Sequence, residues 1–206
     1  MIENEKIRAY IEFNSNFPKR TELLSFLWGM FIVSIPAGYF GIHAEITKII
    51  ILPPVIILTV WIVYLFIKNG GNKTQYVLFM GSYIAFFSMS LLLCAYKIAS
   101  TVIEVSKEYV VILIVAYIAN IIIYMLNLKR LIKKGYFITK KNDISQLGVS
   151  IVAGVFGLGI GKTMFNNIGQ DKVVEILVIL LIFMGFFFSY GVSHFLKYYY
   201  LKTIEK

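Results

Sequence analysis

Apolar stretches long enough to cross a lipid bilayer recur six times along this chain, separated by short polar or basic segments. A hydrocarbon core about 30 Å thick needs roughly 20 apolar residues of helix. The stretches show no strand-like alternation, and in lipid only helices and closed barrels satisfy their backbone groups. The pattern therefore predicts an all-α polytopic membrane protein. The predicted spans are Leu23–Ile42, Lys48–Ile67, Gln75–Ala95, Tyr109–Ile132, Leu147–Phe165 and Val173–Leu196.

Length and composition leave no room for a separate soluble domain, because six spans use most of the 206 residues, 59% of which are hydrophobic. We expect a single transmembrane domain over residues 23–196, a cytoplasmic arm over 1–22 and a basic cytoplasmic tail over 197–206. The start of the chain is polar and acidic, unlike a secretory signal, so we expect the first span to be retained.

The distribution of positive charge predicts the orientation. The net charge is +9, and alternate connections carry 15 and 5 Lys or Arg residues. The richer side normally faces the cytoplasm. Both termini are therefore predicted to be cytoplasmic, which requires an even number of spans, and the expected location is the cell membrane.

Two basic or amphipathic segments are predicted at the inner surface. Residues Ile2–Phe17 place apolar side chains mostly on one face, so they predict a short interfacial helix, with a frayed arm as the alternative. The fourth connection has a lysine cluster that would attract anionic inner-leaflet lipid or dock a cytoplasmic protein. Nucleic-acid binding is not expected, because no recognition fold accompanies the charge. The cluster consists of Lys133, Lys134, Lys140 and Lys141.

Prolines mark the outer half of the first two spans. Pro36 lies in the first span, and Pro53 and Pro54 lie in the second. Each proline removes a backbone donor and tends to kink a helix. The prolines could therefore open an outward vestibule, or they could only shape helix packing, since proline is common in transmembrane helices.

Small and polar residues predict close helix contacts. Ala153, Gly157 and Gly161 recur every four residues in the fifth span and form one face that allows backbones to approach closely. The adjoining Gly-Lys-Thr is not a phosphate-binding loop, because Phe156 occupies the position of its first glycine. Asn120, in the middle of the fourth span, is expected to hydrogen-bond a neighbouring helix or to line a polar path.

The sequence offers no recognisable catalytic or metal-binding set. Cys94 is the single cysteine, and His43 and His194 are predicted on opposite sides of the membrane. No charged residue is expected deep in a span, which argues against a proton-driven pump. We therefore expect no enzyme activity, no metal and no cofactor.

Two classes of function fit these features. The first is a non-enzymatic bacterial immunity, defence or membrane-interaction component that acts through helix packing on a membrane target. The second is a permease subunit that works with a separate cytoplasmic ATPase docked at the inner surface. An enzyme acting on lipid is a weaker third interpretation. A homo-oligomer is compatible with the small-residue face in any of these cases.

Overall fold

The computed structural model describes residues 2–13, 20–68, 72–102, 108–139 and 170–204, and within these ranges all regular structure is helical. The long helix near the carboxyl end is interrupted by a 3₁₀ turn, Ser189–Val192. The α-helices are α1 (Ile2–Glu12), α2 (Arg20–Tyr39), α3 (Ala44–Ile67), α4 (Lys73–Val102), α5 (Glu108–Lys133), α6 (Tyr136–Thr139), α7 (Gln170–Phe188) and α8 (Ser193–Ile204).

Four helices in the described part of the chain are long and apolar enough to cross a membrane. They overlap the predicted second, third, fourth and sixth spans. The all-α prediction is confirmed for the described residues, and these four helices have the length and composition that membrane spans require. The apolar part of α2, Leu23–Tyr39, is shorter. The predicted fifth span lies outside the described residues. The four helices are Ala44–Ile67, Lys73–Thr101, Glu108–Lys133 and Lys172–Ile204.

Helix α4 is the centre of the bundle and packs against α2, α3, α7 and α8. Of its most apolar stretch 44% is buried, against 6% for the corresponding stretch of α5. Small residues spaced seven apart, Gly81, Ser88 and Ala95, lie on the side of α4 that contacts α7 and α8. Small side chains at this spacing let two helices approach along their full length.

Two glycines let the interrupted helix lie against α4. A Cβ atom built on Gly191 would lie 2.6 Å from Cβ of Ile84, and one on Gly185 would lie 2.7 Å from Cδ2 of Leu92. Neither position has room for a side chain, so the backbone of α7 at Gly185 and of the 3₁₀ turn at Gly191 contacts α4 directly.

The α2–α3 hairpin packs on the other side of α4. Leu23, Met30, Ile62 and Phe79 form a fully buried cluster between the three helices. The connection turns sharply because Gly41 (φ 75°) and His43 (φ 55°) adopt the left-handed conformation.

Among the four long helices, α3, α5 and α7 run in one direction between the two ends of the bundle, and α4 runs in the opposite direction. At one end α1 contacts α5, α6 and α8, and Ile11 packs with Val77 of α4. At the other end lie the α2–α3 turn and the start of α7, where Val174 packs near Ala99. We call these the arm end and the hairpin end. The segments at the arm end are those that the charge count assigns to the basic side; its cytoplasmic location stays a prediction.

Replacing Gly191 with alanine should lower the free energy of unfolding by about 1–3 kcal/mol, because the new methyl group overlaps Ile84 near its backbone. Reversible unfolding in mixed micelles, followed by circular dichroism, measures the change. Gly38→Ala is the matched control, since its Cβ would make ordinary contact with Ile51 at 3.4 Å. Equal stability of the two variants would show that the Gly191 contact is not tight.

Candidate functional site

Three lysines donate hydrogen bonds to carbonyl groups at the ends of other helices. The last carbonyls of a helix have no partner within it and carry its partial negative charge. A lysine ammonium supplies both a donor and a compensating charge at such a position. The three lysine caps are Lys97 to Phe40 O (2.8 Å, at the end of α2), Lys6 to Lys133 O (2.8 Å, at the end of α5) and Lys197 to Phe13 O (at the end of α1).

The Lys97 cap joins α4 to the α2–α3 turn. Lys97 is only 4% exposed, and its Nζ donates to Phe40 O and to Thr47 Oγ1, at 2.6 Å. The Thr47 hydroxyl in turn lies 2.8 Å from the carbonyl oxygen of Gly38. The predicted third span ends at Ala95, before Lys97, but α4 continues to Val102 and the lysine is buried within the protein. The paired acceptors explain how a charge is tolerated there.

At the arm end, α1 is attached to α8 by two polar contacts and one ring contact. Lys197 is 6% exposed; its Nζ donates to Phe13 O and lies 5.4 Å from the centroid of the Tyr10 ring. The Tyr10 hydroxyl donates to Ser193 O at 2.9 Å. Burial raises the pKa of the Tyr10 phenol, so it remains a protonated donor at neutral pH. The predicted amphipathic helix is therefore packed on the protein.

A polar cluster lies deep in the bundle, where α4 and α5 meet the 3₁₀ turn. The Ser88 hydroxyl donates to Gly185 O at 2.6 Å and is also hydrogen-bonded to the Tyr117 hydroxyl at 3.2 Å. Asn120 Nδ2 donates to Ser189 Oγ at 2.8 Å, and the Ser189 hydroxyl donates to Phe186 O at 2.6 Å. The cluster supplies extra donors to carbonyls just before the interruption in the helix.

The prolines and the described lysines of the fourth connection do not join these clusters. Pro36 and Pro53 are exposed within α2 and α3, and Pro54 is half-buried. Lys133, the last residue of α5, and Lys134, which follows it, are exposed. The remaining predicted site residues, Ala153, Gly157, Gly161, Lys140 and Lys141, lie outside the described residues.

The described polar side chains bond mainly to backbone carbonyls. Cys94 is buried with Sγ 3.5 Å from Val33 O. Within the described ranges, no group of three or more His, Cys, Asp or Glu residues could hold a metal ion. The hydrogen bonds of the described clusters close helix ends and one helix interruption.

No protein-family model matches the chain, and no curated protein or solved structure shows a significant match to it. The fold and the site define an all-α protein whose described part has four helices able to span a membrane.

Replacing Lys97 with methionine should lower the free energy of unfolding by about 2–3 kcal/mol, because two hydrogen bonds from a charged donor, to Phe40 O and to Thr47 Oγ1, are lost. Mixed-micelle unfolding measures this loss. The exposed Lys68, at the end of α3, provides the control Lys68→Met, which should change stability little. Similar effects of the two changes would contradict the cap.

Asn120 and Ser189 should be energetically coupled. A double-mutant cycle with Asn120→Leu and Ser189→Ala should give a coupling of about 0.6–2 kcal/mol, since each single change removes the same interhelical hydrogen bond. Unfolding of the four proteins in one detergent measures the coupling. Additive effects would show that the bond does not join α5 to the 3₁₀ turn.

Proposed function

We propose that this chain is a non-enzymatic integral membrane protein that acts by contacting another helical membrane protein, as a bacterial immunity or defence component would. In this proposal six spans place both termini in the cytoplasm. The positive charge excess at the arm end supports that orientation. The position of α6 at the arm end and of the start of α7 at the hairpin end supports the six-span count.

The observation that carries the proposal is the use of four polar side chains in the interior of the bundle. Ser88, Lys97 and Ser189 each donate to a backbone carbonyl, and Asn120 donates to Ser189. These bonds stabilise contacts between helices. A permease needs polar groups that face a path through the bundle, whereas a protein that acts by surface contact needs a stable bundle that holds a surface in place.

The surface favoured for this contact is the outer hairpin, defined as residues 36–54. Most of its exposed side chains are apolar, and Phe40 is 64% exposed; His43 and the Glu45–Lys48 ion pair are its exposed polar groups. The Lys97 cap holds this hairpin at the Phe40 carbonyl and at the Thr47 hydroxyl, on opposite sides of the turn. A fixed apolar surface binds a partner with less loss of conformational entropy than a mobile one. The exposed members include Tyr39, Phe40, Ile46, Ile49 and Ile50.

A photoreactive amino acid in place of Phe40 or Ile49 should cross-link the same membrane protein in native membranes, and Lys97→Met should reduce the yield several-fold by loosening the hairpin. Ile123 on α5 is an equally exposed apolar control position and should not give that adduct. Gel shifts and mass spectrometry of the adducts measure the result.

Three results would contradict the proposal. Equal adducts at Ile123 would indicate non-specific membrane collisions. Adducts only to lipid, or only to a second copy of this chain, would show that the outer hairpin does not contact a different membrane protein. A cytoplasmic ATPase cross-linked from the exposed Lys134, with none from the outer hairpin, would favour the permease interpretation.

A further inference from the structure

Helix α5 has a narrow attachment to the rest of the protein. Its buried side chains, Leu113, Tyr117, Leu128 and Ile132, lie along a single stripe. In the half of this stripe nearest the arm end, the transmembrane helices alone do not bury the side chains of α5. Leu128 and Ile132 pack in one cluster with Leu196 of α8 and with Tyr10 of α1. Helix α1 therefore supplies part of the surface that buries α5.

Helix α1 also binds both sides of the junction between α5 and α8. On one side Lys6 Nζ donates to Lys133 O, and the ring of Tyr10 lies 5.1 Å from that of Phe137. On the other side Tyr10 donates to Ser193 O, and Lys197 donates to Phe13 O. We call α1 with Phe13 the arm strap, because it bridges two helices that are distant in sequence.

The α8 contacts of the arm strap lie next to the helix interruption. Ser193 directly follows the 3₁₀ turn. Helix α5 contacts the same turn through Asn120 and through Tyr124, whose ring lies 4.6 Å from that of Tyr190. The arm strap therefore contacts both α5 and α8, and α5 contacts the 3₁₀ turn that directly precedes α8.

We propose that the arm strap is a releasable clamp that holds α5 against the 3₁₀ turn, and that its release lets α5 separate from α8. The strap is suited to release because its helix has 11 residues, too few to be stable alone in water. Of its side chains between positions 4 and 13, which the structure describes, two are buried, Tyr10 and Ile11. Segments held by few buried contacts open before the global fold does. The clamp operates whatever partner the outer hairpin contacts.

The test measures two distances with spin labels in the full chain, in a Cys94→Ser background that removes the single native thiol. One pair, Lys129→Cys with Thr203→Cys, reports the separation of α5 and α8. The other, Glu5→Cys with Thr203→Cys, reports the position of the strap. All three labelled positions are exposed.

The strap variant is Lys6→Met with Lys197→Met, which removes the donors to both carbonyl groups. We expect both label pairs to show a population with a longer distance between the labels. The α5–α8 distance should increase by about 5 Å, close to the rise of one helical turn. The matched control is Arg8→Met with Lys202→Met, which removes exposed cations from the same two helices and should leave both distances unchanged.

A longer strap distance with an unchanged α5–α8 distance would overturn the proposal, because the strap would then only cover α5. Two unchanged distances would overturn it as well, since the lysines would not hold the strap. If the double variant does not fold, Tyr10→Phe removes only the bond to Ser193 O. That variant should give a partial longer population in both pairs, and its absence would equally reject the clamp.

Discussion

The need to satisfy carbonyl groups at helix ends away from water is the constraint on which this structure depends. A helix leaves its last four carbonyls without internal partners, and burying one unpaired is costly. The chain meets this need with lysines that are distant in sequence from the helix ends they cap. Lys97 reaches the end of α2 across 57 positions, and Lys197 reaches the end of α1 across 184. Each cap therefore also fixes one helix relative to another.

The central position of α4 depends on small residues that allow close packing and on a short polar side chain that bonds to a neighbouring helix. Gly81, Ser88 and Ala95 give α4 a thin face on which α7 and α8 pack closely. Close packing lets the short Ser88 side chain reach the Gly185 carbonyl directly. A larger residue on either helix would separate the pair and leave that carbonyl, just before the 3₁₀ turn, without its additional donor.

Hydropathy was sufficient to predict the helices but not the contacts between them. Apolar runs predicted four of the membrane-length helices, because the bilayer imposes their length whatever their neighbours are. The burial of Lys97 could not be predicted, since its acceptors belong to the α2–α3 hairpin, 57 and 50 positions away in the sequence. The small residues flanking Lys97, Ala95 and Ala99, were the available signal that this part of α4 is packed. The amphipathic pattern of α1 predicted a helix. It did not predict what the apolar face contacts, because a lipid surface and a protein surface both favour an apolar helix face.

The two ends of the bundle differ in how firmly their caps are held. The Lys97 ammonium, on the long helix α4, donates to two oxygens of the α2–α3 hairpin, and both of these elements have extensive buried contacts. The caps at the arm end involve α1, a short helix with few fully buried residues. A conformational change would therefore begin at the arm end, while the outer hairpin keeps its shape. Because Asn120 bonds α5 to the 3₁₀ turn in the interior, movement of α5 would reach the middle of the bundle before it reached the hairpin.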